Sequence, residues 1–327
     1  MKVWYDACTG KHMRYGVALA RRLRKSGHEV ILTTREHLDT LGLAKKLGEN
    51  PIVVGKYNPA SLSTRLEEST NRMLQFSKLF KDNAPDVAVG SQSVELCRIA
   101  FGLHIPIILT ADTAYADAAN RLTIPLSNVL VTSKGIPESV FRKYGPRKIV
   151  QFDGVDEVAW VRGFESQEEC EFAKPLIVVR QKETRASYSS LEGDVTEKLA
   201  GELTALGNVL FLSRYEIEER QGLIRPKGYI DSVELVSHAD LVVGVGGTIA
   251  REAALQGIPT LVVSEFGRIH VNEYLSRKGF PLFIVHASQL MKRARNCLGR
   301  KWNVKEKLAS LENPLDILER IIREKSW

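Results

Sequence analysis

The chain has 327 residues, 44% apolar and 26% charged, which suits a soluble globular protein of two ordinary domains and excludes a disordered or fibrous one. No apolar run is long enough to span a membrane, and Met1-Lys2-Val3-Trp4-Tyr5-Asp6 enters a strand at once instead of a signal peptide, so a cytoplasmic location is expected. The net charge of +7 favours anionic partners such as nucleoside diphosphates, anionic lipid surfaces or RNA.

The four cysteines, Cys8, Cys97, Cys170 and Cys297, are far apart and form no C-x-x-C pair, so neither a zinc site nor a disulfide framework is indicated. From the N-terminus, the pattern predicts a strand at Lys2 to Tyr5, an amphipathic helix from His12 to Lys25, a stop at Gly27 and a second strand at Glu29 to Thr33. Further strands are predicted at Ile52 to Val54, Asp86 to Val89, Ile107 to Thr110 and Val129 to Thr132, with helices at Ser61 to Lys81 and Val94 to Gly102. This alternation implies a parallel sheet covered by helices on both faces, with ligand sites at the carboxyl ends of its strands.

Phe152 to Lys174, with Asp153-Gly-Val-Asp-Glu157 and the acidic stretch Glu165 to Glu171, reads as the connection between domains. A second series of strands follows at Pro175 to Val179, Val209 to Leu212, Leu241 to Val243, Thr260 to Val263 and Phe283 to Val285. The expected division is therefore 1–160 and 161–327, two Rossmann-like doubly wound domains facing a central cleft. The closing helix Pro314 to Lys325 has one apolar face and is expected to pack, with the amino-terminal domain as a candidate surface.

Within the second series, Asp240-Leu-Val-Val-Gly-Val-Gly-Gly-Thr248 reads as a buried strand, a glycine turn and a helix start capped by Thr248. A helix start presents N–H groups and partial positive charge to an anion, so Gly246, Gly247 and Thr248 are candidates to hold a diphosphate. Arg251 is expected to add charge for phosphate, and Glu252 an acceptor for sugar hydroxyls. A glycine turn that merely packs helix on sheet is the plainer alternative. The spacing misses the third glycine of G-x-G-x-x-G, and no Walker lysine follows.

In the first βα turn, His12 is a candidate base for an acceptor hydroxyl, or else a capping or core histidine. Asp112, after the strand ending at Thr110, is the second candidate, with an N-cap of a helix from Thr113 to Arg121 as its plainer role. Thr9, Gly10, Lys11, Thr113, Asn120 and Arg121 line the expected acceptor side, Arg121 either steadying a phosphate or lying on the surface. Arg180, Lys182, Arg185 and Ser187 follow the first strand of the second half. Their cations, with Arg214, suit a leaving diphosphate, though an ordinary exposed loop has the same composition. Glu265-Phe-Gly-Arg268 borders the same region. Lys292, Arg293, Arg295, Arg300 and Lys301 form a basic cluster, either a solvated face or a patch for a membrane surface or RNA.

With Gly246-Gly-Thr-Ile-Ala-Arg-Glu-Ala-Ala-Leu-Gln-Gly-Ile-Pro259, the chain resembles the GT-B glycosyltransferases and the UDP-N-acetylglucosamine 2-epimerases. Over nearly its whole length it is similar to a prokaryotic, largely archaeal family of unknown function, domain-of-unknown-function family 354, described as glycosyltransferase-like. Lys2-Val-Trp-Tyr-Asp6 with His12, Ser26 to Arg35, Ala119 to Pro125 and Val178 to Tyr188 carry that likeness. The resemblance implies a GT-B fold, a nucleoside-diphosphate sugar, of the UDP class, held by the carboxyl-terminal domain, and neither metal nor cofactor. It implies transfer of the sugar to an acceptor that the residues do not identify. A sugar-nucleotide 2-epimerase or hydrolase is the alternative, held back because no acidic cluster is evident in the first half, and a non-catalytic nucleotide-sugar or RNA binder is a third reading. A peripheral position at the inner membrane face goes with the basic patch. Oligomeric state is open.

Overall fold

The structure is a computed structural model and describes residues 1–182, 195–213, 222–226, 228–264 and 269–327. The chain divides into two compact units, Met1–Trp160 with Glu312–Trp327, and Val161–Leu311.

The first unit is built on β1 (Lys2–Ala7), β2 (Glu29–Glu36), β3 (Ile52–Lys56), β4 (Val87–Ser91), β5 (Ile107–Thr110), β6 (Val129–Ser133) and β7 (Ile149–Phe152). They form one parallel sheet in the order β3-β2-β1-β4-β5-β6-β7. The central strands β4, β5 and β6 are buried along their whole length, as continuous apolar runs must be when helices cover both faces. In β1, Trp4 packs on Phe76 and Phe80 at ring-centroid distances of 4.9 and 4.6 Å, and Tyr5 lies against Gly16 of the helix Gly10–Lys25. A Cβ at Gly16 would stand 2.5 Å from the Tyr5 ring, so the close approach of helix and strand needs glycine there. The last helix, Pro314–Glu324, packs on Gly10–Lys25, where Arg22 pairs with Asp316 and Glu319.

The second unit carries β8 (Leu176–Arg180), β9 (Asn208–Leu212), β10 (Leu223–Ile224), β11 (Leu241–Gly244), β12 (Thr260–Val263) and β13 (Leu282–Val285) in the parallel order β10-β9-β8-β11-β12-β13. Side chains alternate between two cores: Ile177, Val179, Leu241 and Val243 point to one face, Leu176, Val178 and Val242 to the other. The short strands β7 and β10 escape the sequence pattern because a few half-buried residues at a sheet margin carry little periodicity. Among the described residues no helix is long and apolar enough to cross a membrane.

Candidate functional site

The loop after β1 turns directly into the helix Gly10–Lys25. Thr9 caps that helix, its Oγ1 accepting the His12 N–H at 3.3 Å. Lys11, next in the helix after Gly10, lies largely inside the unit, with its Nζ 2.5 Å from Asp112 Oδ2, 2.8 Å from Asp156 Oδ2 and 4.0 Å from Glu157 Oε1. The three carboxylates arrive from two other strand ends, Asp112 after β5, and Asp156 and Glu157 after β7. One ammonium among three carboxylates cannot keep all of them ionised at low cost. Burial, with Asp112 and Glu157 as like charges, pushes Asp156 up to about 6 even though Lys11 pulls the other way.

Around this cluster stand Tyr5 and Tyr15, rings stacked at 6.4 Å, whose buried hydroxyls have no hydrogen-bond partner among the described residues. Burial and the Asp156 charge hold both phenols well above their ordinary range, so they remain neutral donors. Trp160 meets Tyr15 edge-on at 6.2 Å. Asp156 and Glu157, read from the sequence as part of a connection between domains, are thus members of an acid cluster in the first unit. The signal for them was weak: two adjacent acids after an unpredicted strand.

His12 departs from the expectation of a base titrating near neutrality. Burial, reinforced by Lys11, pushes it down to about 4, and its Nδ1 has no partner among the described residues. Such an imidazole stays neutral at pH 7 and is a weak proton acceptor. Asp6 proves to be wholly internal. Arg72 grips it with both nitrogens, at 3.0 and 2.5 Å, while Ser93 Oγ and Thr33 Oγ1 donate at 2.6 and 2.8 Å. These partners hold Asp6 below the usual carboxylate range against the pull of burial. Burial and the Asp6 charge together push the neighbouring Cys8 thiol up to about 12, which leaves it unreactive.

Asp112 is not a helix cap. The helix begins at Asp117 with Ala116 in the cap position, and Asp112 instead accepts from Lys11 and from Thr113 Oγ1 at 3.0 Å. Asn120 is fully buried and ties the intervening loop, donating to the carbonyls of Thr113 and Ala114 and accepting from Gln92 Nε2. Arg121 lies outside this arrangement, on the surface, paired with Asp117 at 2.7 Å.

In the second unit, β11 ends at Gly244 and the helix Thr248–Leu255 begins after a three-residue turn. Gly247 occupies the cap position, so Thr248 is the first helical residue and not the cap. Gly246 has φ +90°, and a Cβ there would sit 2.0 Å from Asn272 Nδ2. This conformation turns the Gly246 carbonyl inward to accept from Asn272 Nδ2 at 3.0 Å and Arg251 Nη1 at 3.2 Å. Arg251, 3% exposed, thus braces the turn, and Glu252 is 1% exposed. Asn272, silent in the sequence, is the second brace. Gly247 is exposed, and no described residue comes within 4 Å of where its Cβ would be, beside the N–H groups that begin the helix.

Arg180 closes β8 beside this turn, its carbonyl 3.6 Å from the Cβ position of Gly244. Lys182 is buried, and its N–H donates to Thr196 Oγ1 at 3.2 Å. Arg185, Ser187, Arg214 and the segment Glu265-Phe-Gly-Arg268 lie outside the described residues. Among the described residues no three His, Cys, Asp or Glu side chains are grouped to hold a metal ion.

The model of a family described as "Protein of unknown function (DUF354)" matches residues 1–326. An uncharacterized protein of Methanocaldococcus jannaschii is 29% identical over 335 residues, spanning 97% of this chain and 96% of its own length. Among solved structures, the UDP-GlcNAc 2-epimerase of the same organism aligns with a TM-score of 0.67 at 16% identity, covering 100% of this chain and 99% of that one. The Neisseria meningitidis UDP-GlcNAc 2-epimerase, bound to UDP-GlcNAc, gives 0.63 at 15%, covering 99% and 100%. The glycosyltransferase SnogD of Streptomyces nogalater gives 0.57 at 15%, covering 99% of each chain. Epimerases and glycosyltransferases thus share with this chain the GT-B fold of two parallel-sheet α/β domains.

Proposed function

The chain belongs to the DUF354 family, and from that premise we propose that it is an enzyme acting on a nucleoside-diphosphate sugar, of the UDP class, with acid–base chemistry supplied by carboxylates. The diphosphate sits at the turn Gly244 to Thr248 of the second unit, where helix N–H groups and their partial positive charge meet an anion. Arg180 stands beside that turn and offsets charge that grows on the leaving diphosphate. The first unit supplies proton transfer through Asp156 and Asp112, with Lys11 holding both.

The observation that carries this reading is the unequal pair at Lys11. Burial raises Asp156 to about 6, so it can act as acid or base near neutral pH, while Asp112 makes the closer contact with the Lys11 ammonium. Two carboxylates with separated roles are what cleavage and re-formation of the anomeric C–O bond require, which favours the 2-epimerase or hydrolase reading over simple transfer. The acidic cluster whose apparent absence spoke against that reading is supplied by the fold.

Glycosyl transfer to an acceptor is the second reading, supported by the likeness to SnogD; it needs only a single base and the charge offset at the turn. Incubating the protein with UDP-N-acetylglucosamine alone separates the two. Conversion or hydrolysis of the nucleotide sugar without an acceptor is expected. Unchanged substrate, together with turnover on adding candidate acceptor hydroxyls, would hand the assignment to the transferase.

A further inference from the structure

Residues 274–311 hold nine of the 46 lysines and arginines and only one of the 39 acids, a local charge of +8, leaving 37 cations against 38 acids elsewhere. The basicity of the whole protein therefore resides in this one stretch of the second unit.

Three tethers fix where it lies. The Gly299 N–H donates to Asp240 O at 3.0 Å, the Trp302 N–H to Gly257 O at 2.9 Å, and Lys307 Nζ to Gly279 O at 2.7 Å. Asp240, Gly257 and Gly279 lie in the segments that lead into β11, β12 and β13. The segment 299–307 thus runs along the amino ends of these strands, the sheet edge opposite the Gly244 to Thr248 turn. Gly257 makes the approach possible: at φ +80°, a Cβ there would stand 2.1 Å from Trp302 O. Arg277 and Lys278, in the segment before β13, join Arg300, Lys301 and Lys305 at this edge, all five exposed. Arg277, Arg300, Lys301 and Lys305 have no acidic partner among the described residues and face solvent as a basic array in which exposed Glu306 is the one acid of the stretch.

We propose that this edge is a docking platform for an anionic lipid surface, holding the second unit on a membrane by charge alone while the glycine turn stays clear at the other sheet edge. Clusters of four to eight cations match such surfaces. Every large apolar side chain exposed among the described residues falls within 38–122, so the platform has nothing to insert and adsorbs without penetration. Single-stranded RNA fits less well. Binding it calls for exposed aromatic faces on which bases stack, and the local rings, Phe283 and Trp302, pack on each other at 5.9 Å with Arg293 over Phe283. The cations come from two separate helix ends, at Arg277 and Lys305, and from the turns at Lys278 and Arg300–Lys301, not from the exposed face of one projecting helix that could enter a duplex groove.

The test is sedimentation of the full chain with vesicles of about 30% phosphatidylserine in phosphatidylcholine at ~0.1 M salt. Binding is expected there, with loss on phosphatidylcholine alone and at ~0.5 M salt. Each cation is worth roughly fivefold in partitioning, so the triple variant Arg300→Gln, Lys301→Gln, Lys305→Gln is expected to lose roughly a hundredfold. The triple variant Lys25→Gln, Lys81→Gln, Arg98→Gln, which removes the same charge from the first unit, is expected to bind like the parent. Absence of vesicle binding by the parent protein, equal losses in the two variants, or salt-sensitive binding of an RNA oligonucleotide without vesicle binding would each overturn the proposal.

Discussion

Lys11 Nζ stands 2.8 Å from Asp156 Oδ2 although 145 residues separate the two in the chain. The contact joins the first βα turn to the segment after β7, and it makes Asp156 the carboxyl whose protonation the surroundings control.

Asp156→Asn should lower turnover of the nucleotide sugar by about 10²–10⁴-fold, the usual worth of a positioned proton-transfer group. It should also erase the limb of the pH–rate profile near 6, where Asp156 titrates. His12→Gln should leave that limb in place and cost less than about tenfold, because His12 is already neutral far above its value of about 4. A profile unchanged in Asp156→Asn would remove this residue from the chemistry.

Stability should carry the same signature. A carboxyl raised to about 6 in the fold, against about 3.9 unfolded, binds its proton more tightly when folded. Its ionisation therefore weakens the fold as pH rises from about 4 to about 6, and the effect is flat above that. Chemical denaturation of parent and Asp156→Asn across this window should show the parent losing ground to the variant as pH increases. Parallel curves would mean that the proton is not held by Asp156.

Arg72→Met should be severe. It strands the fully buried Asp6 without its cationic partner, and breaking a buried pair on one side costs about 3–5 kcal/mol. Urea unfolding measures this directly, and a loss below about 1 kcal/mol would show that Asp6 is satisfied by Ser93 and Thr33 without the arginine.

Two adjacent glycines should behave differently. Gly246→Ala places a Cβ at φ +90° and against Asn272, so it should destabilise the second unit by about 1–3 kcal/mol and abolish stabilisation by UDP. Gly247→Ala adds a methyl that meets no described residue, at φ −73°, and the fold should hold within about 1 kcal/mol. In thermal-shift measurements, UDP at about a hundred times its Kd should add about 2.7 kcal/mol to the parent. A UDP shift that survives in Gly246→Ala would move the diphosphate away from this turn.

By itself the sequence settled what short-range pattern can settle. Apolar runs marked β1, β5, β8, β11 and β12, because a strand covered on both faces is largely apolar, and the glycine pair 246–247 marked the turn, in which Gly246 takes the positive φ that favours glycine. Only the tertiary structure decided which side chains meet. Asp6 and Arg72 are 66 residues apart, and Asp156 reaches Lys11 only because β1, β5 and β7 end along one edge of a sheet ordered β3-β2-β1-β4-β5-β6-β7. It likewise turned Arg251 inward onto Gly246 and brought Arg277 and Lys278 beside Arg300, Lys301 and Lys305 along the other sheet's opposite edge. Periodicity reports which face of its own element a residue occupies, whereas charge pairing, burial and the resulting pKa depend on neighbours that strand order brings from far along the chain.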